Sequence, residues 1–296
     1  MNLVIGATGL MGSEICRQLA AAGKPVRALV RATSDPAKVD ALKGMGAELV
    51  QGDLRDRASL AAACKGVRAV ISTASSMPFS YVPGENDPQR VDLEGIKSLI
   101  DVAKAASVEH LVYTSFTCVV DLDFPLRNAK RQVEQHLMGS GLTYTILRPG
   151  VFMEVWLSPA VGFDAAGATA RIYGTGDNPI SWISFRDVAS FAVASLDNPA
   201  ARNAVLELGG PEALSPRDVV RIFENAGGKP FQLHYIPEEA LKAQQQAATD
   251  PMQQSFAALM RSCAQGVAID MQETLRAFPV QLATVGEYAR RVYGVA

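Results

Sequence analysis

The stretch Leu3-Val4-Ile5-Gly6-Ala7-Thr8-Gly9-Leu10-Met11-Gly12 decides how this chain is read. A short apolar run ends in glycines at positions 6, 9 and 12, and an amphipathic segment follows with Met11, Ile15, Leu19 and Ala22 at helical spacing. That order predicts strand, tight turn and helix. Glycine lets the backbone turn sharply and lets a ligand approach the amides that open the helix. Those amides lack partners inside the helix, and the helix dipole adds positive potential, so the turn suits an anion. A dinucleotide pyrophosphate is the usual occupant. The spacing is G-x-x-G-x-x-G rather than the commoner G-x-G-x-x-G, and any tight turn between strand and helix can use glycine. Its place between a strand and a helix at the N-terminus favours binding.

The rest of the chain narrows the class. With 296 residues, 48% of them hydrophobic, there is enough material for one large α/β domain or a domain with a smaller lobe. The net charge is -2 and no long basic run occurs, which argues against nucleic acid as the main partner. No apolar run approaches the roughly 18 residues of a membrane span. The opening residues already read as a core strand, which leaves no room for a signal peptide. Cys16, Cys64, Cys118 and Cys263 are scattered, as expected for reduced thiols in a cytoplasmic protein. His110, His136 and His234 are dispersed too, so no metal site is expected.

Strand and helix alternate through the first half. Further strands are expected at Pro25–Arg31, Ala47–Asp53, Val67–Thr73, His110–Ser115 and Thr143–Leu147, and helices at Arg57–Lys65, Pro88–Ala106 and Leu126–Met138. Such alternation implies an α/β fold, a doubly wound parallel sheet joined by right-handed crossovers, with ligands beyond the carboxyl ends of the strands. After Pro149 the rhythm loosens. Helices are expected at Arg186–Leu196, Pro216–Asn225, across Pro237–Ala264 with a break near Pro251, and at Val285–Tyr293, with strands at Ala204–Leu208 and Phe231–Ile236. The expected division is a dinucleotide-binding domain over 1–150, to which 181–210 returns, and a smaller, mainly helical substrate lobe over 151–296.

Several residues then stand where chemistry is expected. The second strand ends in Arg31, where an NAD site usually carries an acid on the ribose 2′-hydroxyl. Arg31 instead suits a 2′-phosphate, hence NADP(H), although a surface arginine looks the same in sequence. Asp53 closes the third strand and can accept from an adenine amino group or cap the next helix. The small residues Thr73, Ala74, Ser75 and Ser76 after the fourth strand let a cofactor pass close, or simply form a turn. On the helix Leu126–Met138, the residues Leu126, Ala129, Val133 and Leu137 form one apolar stripe, and Lys130 lies on it. Arg127, Arg131, Gln132, Glu134 and Gln135 fall on other faces. An inward lysine needs partners, which ribose hydroxyls would supply, or it snorkels from the edge of the stripe.

Further segments give these features a family setting. Gly-Ala-Thr-Gly-x-x-Gly at 6–12, Val-Arg-Ala-Leu-Val-Arg at 26–31, Gly-Asp-Leu at 52–54, Leu-Val-Tyr-Thr-Ser at 111–115 and Leu-Arg-Pro-Gly-Val-Phe-Met-Glu at 147–154 are accompanied by Ser-Phe-Arg-Asp-Val-Ala at 184–189 and Leu-Gly-Gly-Pro-Glu at 208–212. Together they resemble the NmrA-like branch of the atypical short-chain dehydrogenases/reductases over nearly the whole chain, thinning after about residue 237. The resemblance implies a Rossmann-like domain. It implies NADP(H) held by Gly6, Thr8, Gly9, Leu10, Met11, Gly12, Arg31, Asp53, Leu54, Thr73, Ala74, Ser75, Ser76, Pro149, Gly150, Val151 and Phe152. It places Lys130 at the lysine that holds the nicotinamide ribose and supports proton transfer, the candidate catalytic residue. Two positions depart from ordinary reductases. Their tyrosine four residues before the lysine is Leu126 here, and their serine after the fifth strand falls near Phe116, with Ser115 and Thr117 beside it. Ser115 is kept as a cofactor contact, and chemistry through a tyrosinate is not expected.

Met77, Phe79, Tyr81, Phe116, Phe152, Met153, Trp156 and Phe163 follow strand ends or lie in the looser region. Of these, Phe79, Tyr81, Phe116, Met153, Trp156 and Phe163 are the candidate substrate contacts, an apolar wall suited to a flat aromatic, quinone or enone. For any single one of them, packing the lobe against the sheet is the reading to expect before contact. Trp182 is expected in the core, with Ser184 and Asp187 capping the helix after it; Glu154 has no assigned role. The expected activity is reduction of a small apolar or aromatic molecule by NADPH, in a monomer or homodimer without nucleic-acid or membrane partners. The alternative is an NADP-binding redox sensor without turnover, favoured by Leu126 at the tyrosine position.

Overall fold

The computed structural model describes residues 1–77, 81–119 and 122–295. Alternating apolar runs and amphipathic segments fold as the periodicity requires. Strands β1 (Asn2–Ile5), β2 (Val26–Val30), β3 (Glu48–Gln51), β4 (Ala69–Ser72), β5 (His110–Thr114) and β6 (Thr143–Pro149) alternate with helices α1 (Leu10–Ala21), α2 (Pro36–Gly44), α3 (Arg57–Cys64), α4 (Ile96–Ala105) and α5 (Pro125–Gly139). With the strand Ala204–Leu208 at one edge, the sheet order is 204–208, β6, β5, β4, β1, β2, β3. Pairs β1–β2, β1–β4, β2–β3, β4–β5 and β5–β6 are all parallel. The order reverses between β1 and β4, and a ligand crevice opens beyond the carboxyl ends of the strands at such a switch.

Three elements differ from expectation. Helix α2 was not anticipated, because only Leu42 of its nine residues is buried and no apolar stripe announces it. Its start signal is local: Asp35 accepts from the Ala37 amide and Pro36 opens the helix. The expected single helix over 88–106 is a π-helix at Pro88–Gly95 followed by α4. There Val91, Asp92 and Leu93 are buried in succession, a wider inward face than an α-turn offers. On α5 the apolar stripe carries Lys130 inward as expected, but Glu134, placed on another face by sequence, is buried too.

The chain forms two compact units. The first comprises residues 1–116, 125–148 and 188–206, the second 117–124, 149–187 and 207–296. The first is built around the parallel sheet, with Leu3, Ile5, Val70, Ile96, Leu99, Leu111, Val133 and Ile146 in its core. The second is not purely helical. Strands Gln232–Ile236, Thr169–Tyr173 and Phe163–Asp164 form a three-stranded sheet, and Ile180–Ser181 pairs with Ala213–Leu214. Helices Pro216–Gly227, Glu238–Ala247, Pro251–Gln265 and Val285–Tyr293 belong to the same unit. Its core gathers Met153, Phe163, Trp182, Phe223 and Val267. Among the described residues no helix is long and apolar enough to cross a membrane.

Candidate active site

The glycine turn makes the floor of a cleft of about 630 Å³ in the first unit. Gly6 has φ +82°, and a side chain there would lie 2.7 Å from Thr73 Oγ1. A Cβ on Gly12 would lie 2.1 Å from the Gly6 carbonyl oxygen, so the turn and α1 approach too closely for any other residue. Helix α1 starts after Gly9 without a side-chain cap. Its first amides are therefore left for an anion, and no Cβ covers them.

Gly6, Thr8, Gly9, Leu10, Met11, Gly12, Arg31, Asp53, Leu54, Thr73, Ala74 and Ser75 all line this one cleft, as do Thr33, Ser34, Asp35, Lys38, Met77 and Val91. Lys38 is a cation that the sequence did not single out. It stands on α2, the helix that carried no periodic signal. Arg31 and Lys38 bring two positive side chains to the end of β2, a donor set for a phosphate ester rather than a free diol. Asp53 does not cap α3; Asp56 does, accepting from the Ala58 amide. Asp53 instead takes the Arg55 guanidinium at 2.9 Å on Oδ1 and 2.7 Å on Oδ2. That hydrogen-bonded pairing, opposed by partial burial, holds its carboxyl below the ordinary value.

Ser76 does not line the cleft. It is buried between two cleft residues, Ser75 and Met77, and both its amide (2.9 Å) and its hydroxyl (2.6 Å) donate to Asp92 Oδ2. Asp92 sits on the π-helix with no exposed surface. Its Oδ1 has no hydrogen-bond partner and lies 3.8 Å from Lys130 Nζ. Lys130, 6% exposed, donates to the Thr114 carbonyl at the end of β5 (3.2 Å) and stands over the Tyr113 ring, 5.4 Å from its centroid. It does not snorkel. Burial lowers its affinity for a proton below that of an ordinary lysine, and Asp92 followed by Glu134 opposes the shift. Burial likewise pushes the Tyr113 phenol well above its usual range, so this tyrosine stays protonated. Asp92 and Tyr113 escaped the sequence reading, since a lone Asp on a helix and a Tyr inside a strand carry no periodic mark of function.

A second buried cluster fixes the neighbouring strand ends. Glu134 accepts from Arg148 Nε (3.0 Å) and Nη2 (2.6 Å), from Arg131 Nη1, and from the Ser115 hydroxyl. Arg131 also donates to the Phe116 carbonyl at 2.6 Å. Ser115 is thus engaged by a carboxylate held between two guanidinium groups, and half-buried Phe116 is tethered through its backbone.

The remaining candidates lie elsewhere. Phe79 falls outside the described residues, and Tyr81 next to them is half-buried. In the second unit the 149–152 segment is held by its backbone. Pro149 O accepts from Thr117 (3.1 Å), Gly150 N donates to Leu208 O (2.8 Å), and Val151 O accepts from Ile183 (3.0 Å). The Val151 side chain joins the core of that unit, and Phe152 is half-buried. Met153 has no exposed surface, and Phe163 packs against Phe223 at 4.7 Å and Phe231 at 5.3 Å; both are core residues, not an open wall. Trp156 stacks on Phe256 at 6.3 Å. Trp182 is buried and donates to the Leu214 carbonyl at 2.9 Å. Ser184 accepts from the Arg186 amide, and Asp187 shares the capping as expected: its carboxylate takes the Ser184 backbone amide as well as Ala283 N (2.9 Å). Glu154 adds to this helix start, accepting from the Ser184 hydroxyl and the Phe185 amide.

Comparison with known proteins adds to this geometry. The chain is 34% identical over 253 residues to the (4-alkanoyl-5-oxo-2,5-dihydrofuran-3-yl)methyl phosphate reductase of Streptomyces griseus, spanning 85% of this chain and 82% of that protein. It is 33% identical over 243 residues to the NAD(P)H azoreductase of Xenophilus azovorans, spanning 82% and 79%. The NADPH-dependent quinone oxidoreductase of Escherichia coli, in complex with NADPH, superposes with a TM-score of 0.79 at 25% identity, covering 99% of this chain and 100% of that one. The model of the NmrA-like family matches residues 2–289, and with a glycine turn, a parallel sheet and oxidoreductases among its relatives this chain belongs to the NmrA-like family.

Proposed function

We propose that this protein is an NADPH-dependent reductase of conjugated, largely apolar acceptors such as quinones and enones. The observation that carries the reading is Lys130, a buried cation held at the carboxyl end of β5 and joined through Asp92 and Ser76 to the wall of the glycine-turn cleft. A lysine kept out of water and tied to such a wall has a use at a reacting centre that a surface lysine lacks. The names of the relatives support the acceptor class, since a quinone, an azo compound and a 4-alkanoyl-5-oxo-dihydrofuran are all conjugated electrophiles.

The glycine turn and the first amides of α1 would hold the pyrophosphate, Arg31 and Lys38 the 2′-phosphate, and the Thr73–Ser75 wall the middle of the dinucleotide. When bound, NADPH supplies a hydride. Lys130 would bind a ribose hydroxyl and would donate a proton from its ammonium to the anion left on the acceptor, regaining one from water. Leu126, one turn before it and buried, offers no hydroxyl, so Lys130 is the proton donor that the α5 stripe carries. Much of the rate then comes from positioning rather than from many acid–base groups.

The test is NADPH oxidation followed by absorbance against a panel of quinones, enones and azo compounds. Turnover of at least one acceptor is expected, and Lys130→Met should lower kcat about 100-fold or more. A panel without turnover beside tight NADP⁺ binding would overturn the reductase in favour of a redox sensor.

A further inference from the structure

We infer that Asp92 is the positioning residue of this site, holding the Lys130 ammonium beside β5 and, through Ser76, fixing the cleft wall against which a dinucleotide lies. The inference deepens the reductase reading and rests on it for what Lys130 does in turnover. The two oxygens of Asp92 have separate tasks. Oδ2 is filled by the amide and hydroxyl of Ser76 at 2.9 and 2.6 Å. Oδ1 has no hydrogen-bond partner and faces Lys130 Nζ at 3.8 Å. A fully buried carboxylate with one free oxygen is costly unless a cation answers it, and Lys130 is the cation placed to do so.

The backbone explains why Asp92 can do this. The π-turn from Pro88 to Gly95 buries residues 91, 92 and 93 together, so Val91 lines the cleft while Asp92 points into the interior behind it. Gly95 then lets the helix approach Leu54, the cleft residue on the other side; a Cβ at position 95 would be 2.9 Å from Leu54 Cβ. π-Turns of this sort are frequent at functional sites. The same element therefore shapes the wall and presents the carboxylate.

The charged groups facing Lys130 are Asp92 from the π-helix and Glu134 and Arg131 from α5, with the Tyr113 ring of β5 beneath. Glu134 is already engaged by Arg131, Arg148 and Ser115. Asp92 is thus the carboxylate left to Lys130. Removing its charge takes away the larger of the two carboxylate influences that oppose burial and leaves only Glu134 against it, which drives lysine towards the neutral amine. A neutral Lys130 has no proton to donate and a weaker hold on Thr114.

The experiment uses the full chain saturated with NADP⁺ and labelled with ¹³C at lysine Cε, the Lys130 signal being identified by its loss in Lys130→Met. In Asp92→Asn the Lys130 titration should move down by about one pH unit or more, and the pH profile of kcat should move with it. Asparagine can still accept from Ser76, so the affinity for NADP⁺ should change less than about threefold. Ser76→Ala should do the reverse, weakening NADP⁺ and leaving the lysine titration in place. A Lys130 titration in Asp92→Asn identical to that of the wild type overturns the inference. Should Asp92→Asn fail to fold, the double variant Asp92→Asn/Lys130→Met decides: soluble protein shows that the unpaired ammonium was the fault, and continued failure overturns the pairing. An acceptor panel without turnover sinks the reductase reading but leaves the titration result standing, so the two failures are distinct.

Discussion

Arg31 shows how one residue can set cofactor choice. It follows β2 directly, its backbone closing a turn in which its amide donates to the Ser34 hydroxyl at 3.0 Å, and its side chain reaches the cleft with Lys38 and near Asp53. A guanidinium there favours a phosphate over two hydroxyls. Arg31→Asp is therefore expected to weaken NADPH by about tenfold or more while NADH changes little or gains, measured by calorimetric titration of both nucleotides. Equal losses for the two would show that Arg31 does not read the 2′-phosphate. Arg31 was legible from sequence because its position after β2 is fixed by the fold. Lys38 was not, because nothing local distinguishes it from Lys43 on the same helix. Lys130 lay between; its inward place followed from the α5 stripe, but its partner Asp92 stands 38 residues earlier and only the fold joins them.

At the scale of elements, the junction of β1 and α1 is the most constrained piece of the chain. Its glycines answer steric demands: positive φ at Gly6, and at Gly12 a backbone contact that leaves no room for a methyl group. Gly12→Ala is expected to push α1 from the turn, raise the Kd for NADPH at least about tenfold, and lower the melting temperature, since a 2.1 Å clash with a carbonyl cannot relax by side-chain motion. Unchanged affinity and melting would show that the turn opens more easily than its packing implies. The π-helix is the opposite case. Its residues Pro88-Gln89-Arg90-Val91-Asp92-Leu93-Glu94-Gly95 read as an ordinary helix start, with Asp87 accepting from the Arg90 amide as a cap. The widened turn depends on what lies inside it, namely Ser76, Lys130 and Leu54, which local sequence does not contain.

At the scale of the whole molecule, each unit carries its own buried charges, and those of the second make its stability depend on pH. Burial lifts the Asp187 carboxyl from 3.8 to about 6, with Glu154 adding to the shift and the Ala283 amide and Arg291 opposing it. Between those values the folded state binds more protons than the unfolded state. The contribution of this group to stability is thus full below about pH 4 and is lost as pH rises through about 6. Asp187→Asn can keep the Ala283 contact without a titrating charge. Denaturant unfolding at pH 4.5 and pH 7 should show the variant gaining on the wild type as pH rises, by roughly 3 kcal/mol at most. A difference between the two proteins that does not vary with pH would refute the assignment.

The sequence by itself determined the parallel sheet, the glycine turn at its switch point and most of the cleft lining, because these follow from short-range rules: periodicity, turn stereochemistry and the order of strands in a wound sheet. It also placed Lys130 on an inward stripe. It did not determine which apolar residues face a ligand, since Met153 and Phe163 pack a core as readily as they would line a wall. Nor did it give the carboxylates: Asp92 beside Lys130, Glu134 between two arginines, and Glu154 at the start of a helix 31 residues on. A buried ion pair joins groups distant in sequence, and its stability depends on burial and on every other charge nearby. That pairing exists only once the tertiary structure has brought the partners together and excluded water from around them.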